Sequence, residues 1–327
     1  MHPEEWAMRN RGAVVLYLVA ALWIGLAWIG ESRGQTRIPR VGIVTLGQGL
    51  TGEQDKKWWE PFRRTLADQG WVEGKTALFE YSGTADELAR LKVDAILAVS
   101  APSTRAAYAA TRTIPIVALD FTNDPVAAGY AESYGHPGRN LTGVFLDAPE
   151  FSGKWLQLMK VIVPGLSHVV VLWDPAPGAA HLQALKTAGR SLLVKLQVLQ
   201  VRKPDDIDRA FSALRGTPQA LIILPSPMIY QQSERLAKLA LQHRLPGTSY
   251  SPSFAEAGGL LSYGPDAPSS YERCAVLLAK ILAGARPGDL PVERPTKYQL
   301  IVNLKTAKTL GLTVPDSVLV RADEVIQ

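Results

Sequence analysis

Short apolar runs alternate with amphipathic stretches along most of the chain. Val41–Leu46, Ala95–Val99, Ile116–Leu119, Val169–Trp173 and Leu221–Leu224 are continuous apolar runs of strand length, the pattern of a parallel sheet covered on both faces. Between them apolar residues recur at helical spacing: Trp58, Phe62 and Leu66; then Phe151, Trp155, Leu158, Met159 and Ile162; then Ile207, Ala210, Phe211 and Leu214 behind the starter Pro204-Asp205-Asp206. These spacings predict helices whose aromatic residues face the core. Strand and helix in alternation, joined by right-handed crossovers, predict an α/β fold. The series runs twice, over about residues 38–146 and again from His168. Each run has the size of one doubly wound domain, so two similar parallel-sheet lobes are expected. The proline-broken, polar stretch Gly284–Pro295 reads as a crossover loop, with a strand at Tyr298–Asn303 and a short helix at Lys305–Leu310 after it.

The region before residue 38 has another character. Ala13–Ile29 is almost unbroken apolar sequence, interrupted at Gly25, with Arg9 and Arg11 before it and Glu31 after it. Such a stretch satisfies its own backbone as a helix in lipid. The flanking charges place the N-terminus in the cytoplasm and everything after Ser32 on the far side. Gly30-Glu31-Ser32 offers small residues for cleavage, whereas the run is longer than a usual signal core. Residues 1–32 therefore read as either a signal peptide or a membrane anchor.

Composition narrows the function. With 47% hydrophobic and 20% charged residues in 327, the chain is neither disordered nor low-complexity. Its net charge of +5 is spread without a Lys/Arg block or a basic stripe, so no nucleic-acid partner is expected. The one cysteine, Cys274, forbids an internal disulfide and a cysteine metal cage, and sits in a helical apolar context that suits a buried thiol. The histidines at 2, 136, 168, 181 and 243 never fall in an HxH or HxxxH spacing, and neither a nucleophile elbow nor a GxxxxGK[ST] phosphate loop occurs. No metal, no cofactor and no catalytic set is expected, and the chain does not read as an enzyme.

In doubly wound sheets ligands bind beyond the carboxyl ends of the strands. The first such loop, Gly47–Gly52, is a literal G-x-G-x-x-G. A dinucleotide reading is weakened by a helix that starts several residues later, near Asp55, and by the lack of an acid about twenty residues on. A ligand-contacting loop or a plain turn is the alternative. The loop Ser100-Ala-Pro-Ser-Thr104, leading to a helix at about Arg105, offers hydroxyls and backbone N–H groups as a carboxylate seat, or an ordinary N-cap at Ser103. Asp124 either accepts a ligand ammonium or caps a helix starting at Pro125. In the second half the matching strand ends are Asp174-Pro175, Pro225-Ser226-Pro227 and Thr248-Ser249-Tyr250. Tyr250 either stacks on or hydrogen-bonds a ligand, or sits at the surface.

Several segments carry a family resemblance: Val93–Pro102, Thr113–Val117, Asp124–Gly129, Pro137–Gly143, Glu256–Gly264, Tyr298–Leu312 and Arg321–Ile326. Together they resemble the ABC-transporter substrate-binding proteins related to the tryptophan/tyrosine-binding group, over roughly residues 38–327. The resemblance implies a type I periplasmic-binding-protein fold, with two α/β lobes, a three-strand hinge and a small solute in the cleft. It divides the chain into lobe 1, residues 38–146 with about 265–284, and lobe 2, residues 147–262 with about 298–327. By position it gives Ser100, Ser103 and Thr104 the ligand carboxylate, brings Asp124 near the same cleft, and sets the Ser226 and Tyr250 loops opposite. It further implies an extracytoplasmic, periplasmic protein that captures an amino acid or related solute by cleft closure. Its partners would be an ABC permease and ATPase, and the inner membrane if residues 1–32 are not cleaved. The alternatives are a membrane-anchored ligand sensor built on the same module and a nucleotide-dependent enzyme.

Overall fold

The computed structural model describes residues 37–45, 53–81, 84–146 and 151–327. The apolar helix predicted at Ala13–Ile29 and the Gly47–Gly52 loop lie outside the described residues. Among those residues no helix is long and apolar enough to cross a membrane.

The first lobe is built on a wholly parallel sheet of β1 (Arg40–Val44), β2 (Leu78–Tyr81), β3 (Ala95–Val99), β4 (Ile116–Asp120) and β5 (Leu141–Phe145), in the order β2-β1-β3-β4-β5. Helices α1 (Glu53–Asp68), α2 (Ala85–Arg90) and α3 (Ala101–Ala110) connect its first four strands. Strand side chains alternate, so Val41, Ala95, Leu97, Val117 and Leu119 bury one face while Ile96, Ala98, Ile116, Ala118 and Leu141 bury the other. This is why the central strands read as unbroken apolar runs. Gly143 of β5 holds φ +152° with Ala118 beside it; a Cβ there would lie 2.0 Å from the Ala118 carbonyl oxygen, so only glycine lets β4 and β5 approach.

In α1 the core is filled by Trp59, Phe62 and Leu66, with Trp59 stacked on Phe62 at 4.4 Å. Trp58, expected among these core residues, is half-buried and packs against the edge of the same cluster. Helix α3 begins at Ala101, four residues before the expected start, because Ser100 caps it and Pro102 in its first turn has no N–H to lose.

The second lobe carries β6 (His168–Trp173), β7 (Lys195–Gln200), β8 (Ala220–Ile223), β9 (Gly247–Ser249), β10 (Leu261–Pro265), β11 (Tyr298–Asn303) and β12 (Glu324–Ile326), ordered β12-β11-β10-β9-β8-β6-β7. Its helices are α4 (Phe151–Ile162), α5 (Ala180–Ser191), α6 (Asp206–Ser212), α7 (Pro227–Tyr230), α8 (Ser233–Gln242) and α9 (Pro252–Glu256). The predicted stripe of α4 is buried, and the Trp155 indole N–H donates to the Tyr263 carbonyl at 2.7 Å, so that wholly buried ring leaves no polar atom unpaired.

After β10 the chain returns to the first lobe as α10 (Ala267–Leu282), capped by Asp266, and packs Tyr271, Cys274 and Leu278 against α1 and the first sheet. The thiol of Cys274 is buried and its pKa is pushed up by desolvation, as suits an inert side chain. The loop over 284–295 then runs beside β5, where the Thr142 hydroxyl donates to the Leu290 carbonyl and Phe145 N–H to that of Glu293. The chain thus passes between the sheets at about 146–151, 265–267 and 293–298.

The second sheet is not uniformly parallel, because β11 runs antiparallel to β10. The return from the first lobe enters at the carboxyl end of β10, Tyr298 beside Pro265, and must run the opposite way. Two short helices, α11 (Leu304–Thr309) and α12 (Asp316–Leu319), complete the lobe.

Candidate functional site

The carboxyl ends of both sheets face one another, and loops from each side meet there. On the first lobe, Ser100 stands at the junction of β3 and α3 with φ 100° and ψ 158°, a backbone region that is essentially glycine's own. Its N–H donates to the Leu119 carbonyl at 2.8 Å. Its hydroxyl donates to Ser103 Oγ at 3.0 Å and accepts from the Ser103 N–H. Thr104 Oγ1 donates back to the Ser100 carbonyl at 2.9 Å. The three expected hydroxyl residues therefore form one turn, in which Ser103 and Thr104 are buried and Ser100 is half-buried.

The β4 end is held by an acid that the sequence did not single out. Asp120 is fully buried, and its oxygens accept from Thr122 N–H, Thr122 Oγ1, Asn123 N–H and Asn123 Nδ2. Burial pushes its pKa up, opposed by these hydrogen bonds. Asp124 Oδ1 accepts from the N–H groups of Val126 and Ala127, at 2.7 and 3.1 Å. The helix expected from Pro125 is instead a hydrogen-bonded turn closed by Gly129 at φ +74°. One carboxylate oxygen of Asp124 thus holds the turn, which cannot propagate past Gly129. Behind it lies Tyr130, whose pKa is raised by desolvation and by the charge of Asp120, against a hydrogen bond from Arg105.

On the second lobe Ser226 is buried and doubly used: its hydroxyl donates to Asp174 Oδ2 at 2.6 Å and accepts from the Ile229 N–H, capping α7. Asp174 Oδ1 accepts from Ala176 N–H, so this pair ties the ends of β6 and β8 together. Tyr250, half-buried after β9, packs on the core with its phenol pKa pushed up by desolvation. Near it, Thr248 Oγ1, Ser251 Oγ and Ser262 Oγ are buried without a protein partner.

Contacts among the described residues join the lobes. The rings of Trp58 and Tyr230 lie 5.3 Å apart, Lys57 Nζ is 3.5 Å from Glu256, Arg105 donates to the Ala176 carbonyl at 3.3 Å, and His181 Nε2 lies 3.3 Å from the Phe121 carbonyl. The carbonyl only accepts, so Nε2 of His181 carries the proton and Nδ1 accepts from Ser152 Oγ at 2.9 Å. Desolvation lowers the pKa of this buried imidazole to about 4. Its neighbour Trp155 stacks at 6.2 Å. Among the described residues no cluster of acids, histidines and cysteines is placed to hold a metal.

A family model described as "ABC transporter substrate binding protein" matches residues 55–326. The chain belongs to that family. This substrate-binding protein is similar to the tyrosine-binding protein of Clostridioides difficile, 24% identical over 286 residues that span 83% of this chain and 81% of that one. It is also similar to a conserved domain protein of Vibrio cholerae, at 26% identity and a TM-score of 0.77, covering 88% of this chain and all of the other. An ABC domain from Streptococcus pneumonia in complex with L-Trp overlaps at a TM-score of 0.79 and 19% identity, covering 88% and 99% of the two chains. The fold is thus that of the type I periplasmic binding proteins.

Of the six residues expected at the site, Ser100 and Ser226 cap α3 and α7, Ser103 and Thr104 are buried in the first turn of α3, and Asp124 and Tyr250 lie in the loops after β4 and β9. Sequence reasoning missed Trp58, Arg105, Tyr230 and His181. Trp58 was assigned to the core on its helical spacing with Phe62 and Leu66, and His181 was weighed only as a metal ligand.

Proposed function

We propose that this protein works outside the cytoplasmic membrane in an ABC import system, capturing an amino acid or related small solute between its lobes by closure. Residues 1–32 then serve as the export signal or anchor, and the lobes are divided as residues 38–146 with about 265–284 and 147–262 with about 298–327. A permease with its ATPase receives the closed shape. The observation that carries the reading is the meeting of α1, α3 and the β4 loop with α5, α7, α9 and the β6 loop at the carboxyl ends of both sheets. A solute held there touches both sides, and only the closed arrangement offers both sets of contacts at once. Two relatives whose names specify tyrosine and L-Trp make a zwitterion the natural choice.

The ligand carboxylate is assigned to the Ser100 turn, with Ser103 and Thr104 holding it from behind. The strain at Ser100 supports this, because such backbone outliers gather where a ligand is clamped. Asp124 takes the ammonium side. Opposite, Ser226 fixes the turn that presents Tyr230, and Tyr250 supports the floor. The test is native mass spectrometry of the full-length protein for a co-purified small molecule, followed by calorimetric titration with the amino acids. One-to-one binding, with a smaller radius of gyration on saturation, is expected. If no solute co-purifies and no amino acid binds, the proposal fails.

A further inference from the structure

The pole of lobe 2 that faces away from lobe 1 carries a charge pattern that the order of the sequence hides. β9, β8, β6 and β7 are neighbours and run parallel, so the segments leading into them, 242–246, 213–219, 160–168 and 190–195, meet at one end of the sheet, opposite the strand ends at the gap. These segments bring Arg244, Arg215, Lys160, Arg190 and Lys195 together, all exposed, and contain no Asp or Glu. Among the described residues no acid is ion-paired with any of the five, whereas Arg40, Arg63, Arg64, Arg209 and Arg235 each have such a partner. Lobe 1 differs, because its corresponding segments mix Lys75, Lys92 and Arg112 with Asp68, Glu73 and Asp94.

Bulky apolar side chains stand among these cations. Lys160 Nζ donates to the Leu192 carbonyl at 2.9 Å, which ties the end of α4 to the end of α5. Val161 and Leu193, the residues next to that bond, are 52% and 87% exposed. Leu193 follows α5 at φ +56°, with Val194 N–H donating to the Gly189 carbonyl at 2.8 Å, a left-handed corner where glycine or asparagine costs less. A leucine held out in water at such a corner gains nothing from the fold. Cations around a projecting aliphatic pair match the headgroup boundary of a bilayer, phosphate to Lys and Arg and acyl chain to Leu and Val. A polyanion without an apolar layer would use the cations and leave Leu193 in water.

We propose that this pole is a docking face for an anionic phospholipid surface, with Leu193 and Val161 entering the headgroup boundary and the five cations meeting phosphates. The face lies at the other end of the strands from the gap, so docking leaves solute capture free and does not depend on it.

Residues 39–327 form one compact unit that holds both sheets and every core cluster, so the chain from residue 33 onward folds by itself and is the form to test, free of the apolar run Ala13–Ile29. Its co-sedimentation is measured with vesicles of equal parts phosphatidylglycerol and phosphatidylcholine, against phosphatidylcholine alone. Binding to the anionic vesicles is expected to be at least about tenfold tighter, and raised salt removes the difference. Lys195→Glu combined with Arg215→Glu lowers binding at least about tenfold, Leu193→Asn lowers it about threefold, and Lys75→Glu on the other pole changes it by less than about twofold. Asparagine suits the left-handed corner, so Leu193→Asn reads out the face should the double variant fail to fold. Equal binding to both kinds of vesicle, or binding by either pole variant as tight as that of the wild type, overturns the proposal. Capture by polyglutamate without binding to the anionic vesicles gives the cations to an acidic protein and overturns it as well.

Discussion

Acidification should destabilise this protein through His181, and the size of the effect follows from its surroundings. The imidazole is buried, donates from Nε2 to the Phe121 carbonyl, accepts at Nδ1 from Ser152, and has its pKa lowered from 6.5 to about 4. Above pH 6.5 the ring is neutral whether the chain is folded or unfolded, so it adds no pH dependence. As pH falls through 6.5 the unfolded chain takes up a proton that the folded chain refuses, and stability is lost until the folded ring also protonates near pH 4. Between pH 7.5 and pH 5 the loss amounts to about 2 kcal/mol. Urea unfolding of wild type and His181→Gln at both pH values measures it, because the other titrating groups are shared and cancel in the comparison. Glutamine can still donate to Phe121 but leaves Ser152 short of an acceptor, so the variant should be about 1 kcal/mol weaker at pH 7.5. It should then lose about 2 kcal/mol less than wild type on going to pH 5. If the two proteins lose stability in parallel, the histidine is not held neutral by burial and the argument is wrong.

Other substitutions probe the scaffold and the rim. Gly143→Ala should cost at least about 3 kcal/mol or prevent folding, since its Cβ meets the Ala118 carbonyl oxygen at 2.0 Å; Gly135→Ala, which enters open space, is the control and should shift urea stability by less than about 0.5 kcal/mol. Ser226→Ala removes the hydroxyl from Asp174 and the cap from Ile229, and should cost about 2–3 kcal/mol in the same assay. A cost under about 1 kcal/mol would mean that water replaces the hydroxyl. Ser100→Gly should move stability and binding in opposite directions. Relief of the φ 100° backbone gains about 1 kcal/mol in thermal unfolding, while loss of the hydroxyl weakens titrated solute. A variant that binds as before removes Ser100 from the ligand seat.

How far the sequence discloses this fold depends on where each strand lies. β3, β4, β6 and β8 are flanked on both sides, so all their side chains but those of Val99, His168 and Trp173 are buried and the apolar run is continuous. β2 and β7 are sheet edges with mixed exposure, and Leu-Phe-Glu-Tyr or Lys-Leu-Gln-Val-Leu-Gln gives no such run. β5 is buried yet broken in sequence by Thr142, whose hydroxyl is paired with the loop over 284–295, and by Gly143, which is required by close approach. Its signal lies in tertiary contacts. The same holds at the site. The cap of α3 was expected at Ser103 and is Ser100, and Ser226 was named only as a strand-end residue, although both caps are local, three residues away in each case. Trp58 with Tyr230 and His181 with Phe121 are pairs formed across the lobes, and no local pattern encodes them.

That division between local and cross-lobe contacts bears on how the molecule works. Asp120, Asp124, Asp174 and Ser226 spend hydrogen bonds inside their own lobes, so the two rims are stiff before they meet. The contacts seen between the rims among the described residues are each modest: a partly exposed Lys57–Glu256 pair, a ring pair and hydrogen bonds to carbonyls, worth about 1 kcal/mol apiece or less. A solute of micromolar affinity brings about 8 kcal/mol to the same gap. In the proposed capture by closure, rims stiffened this way would leave the balance between open and closed to occupancy of the gap rather than to the lobes' attraction for one another.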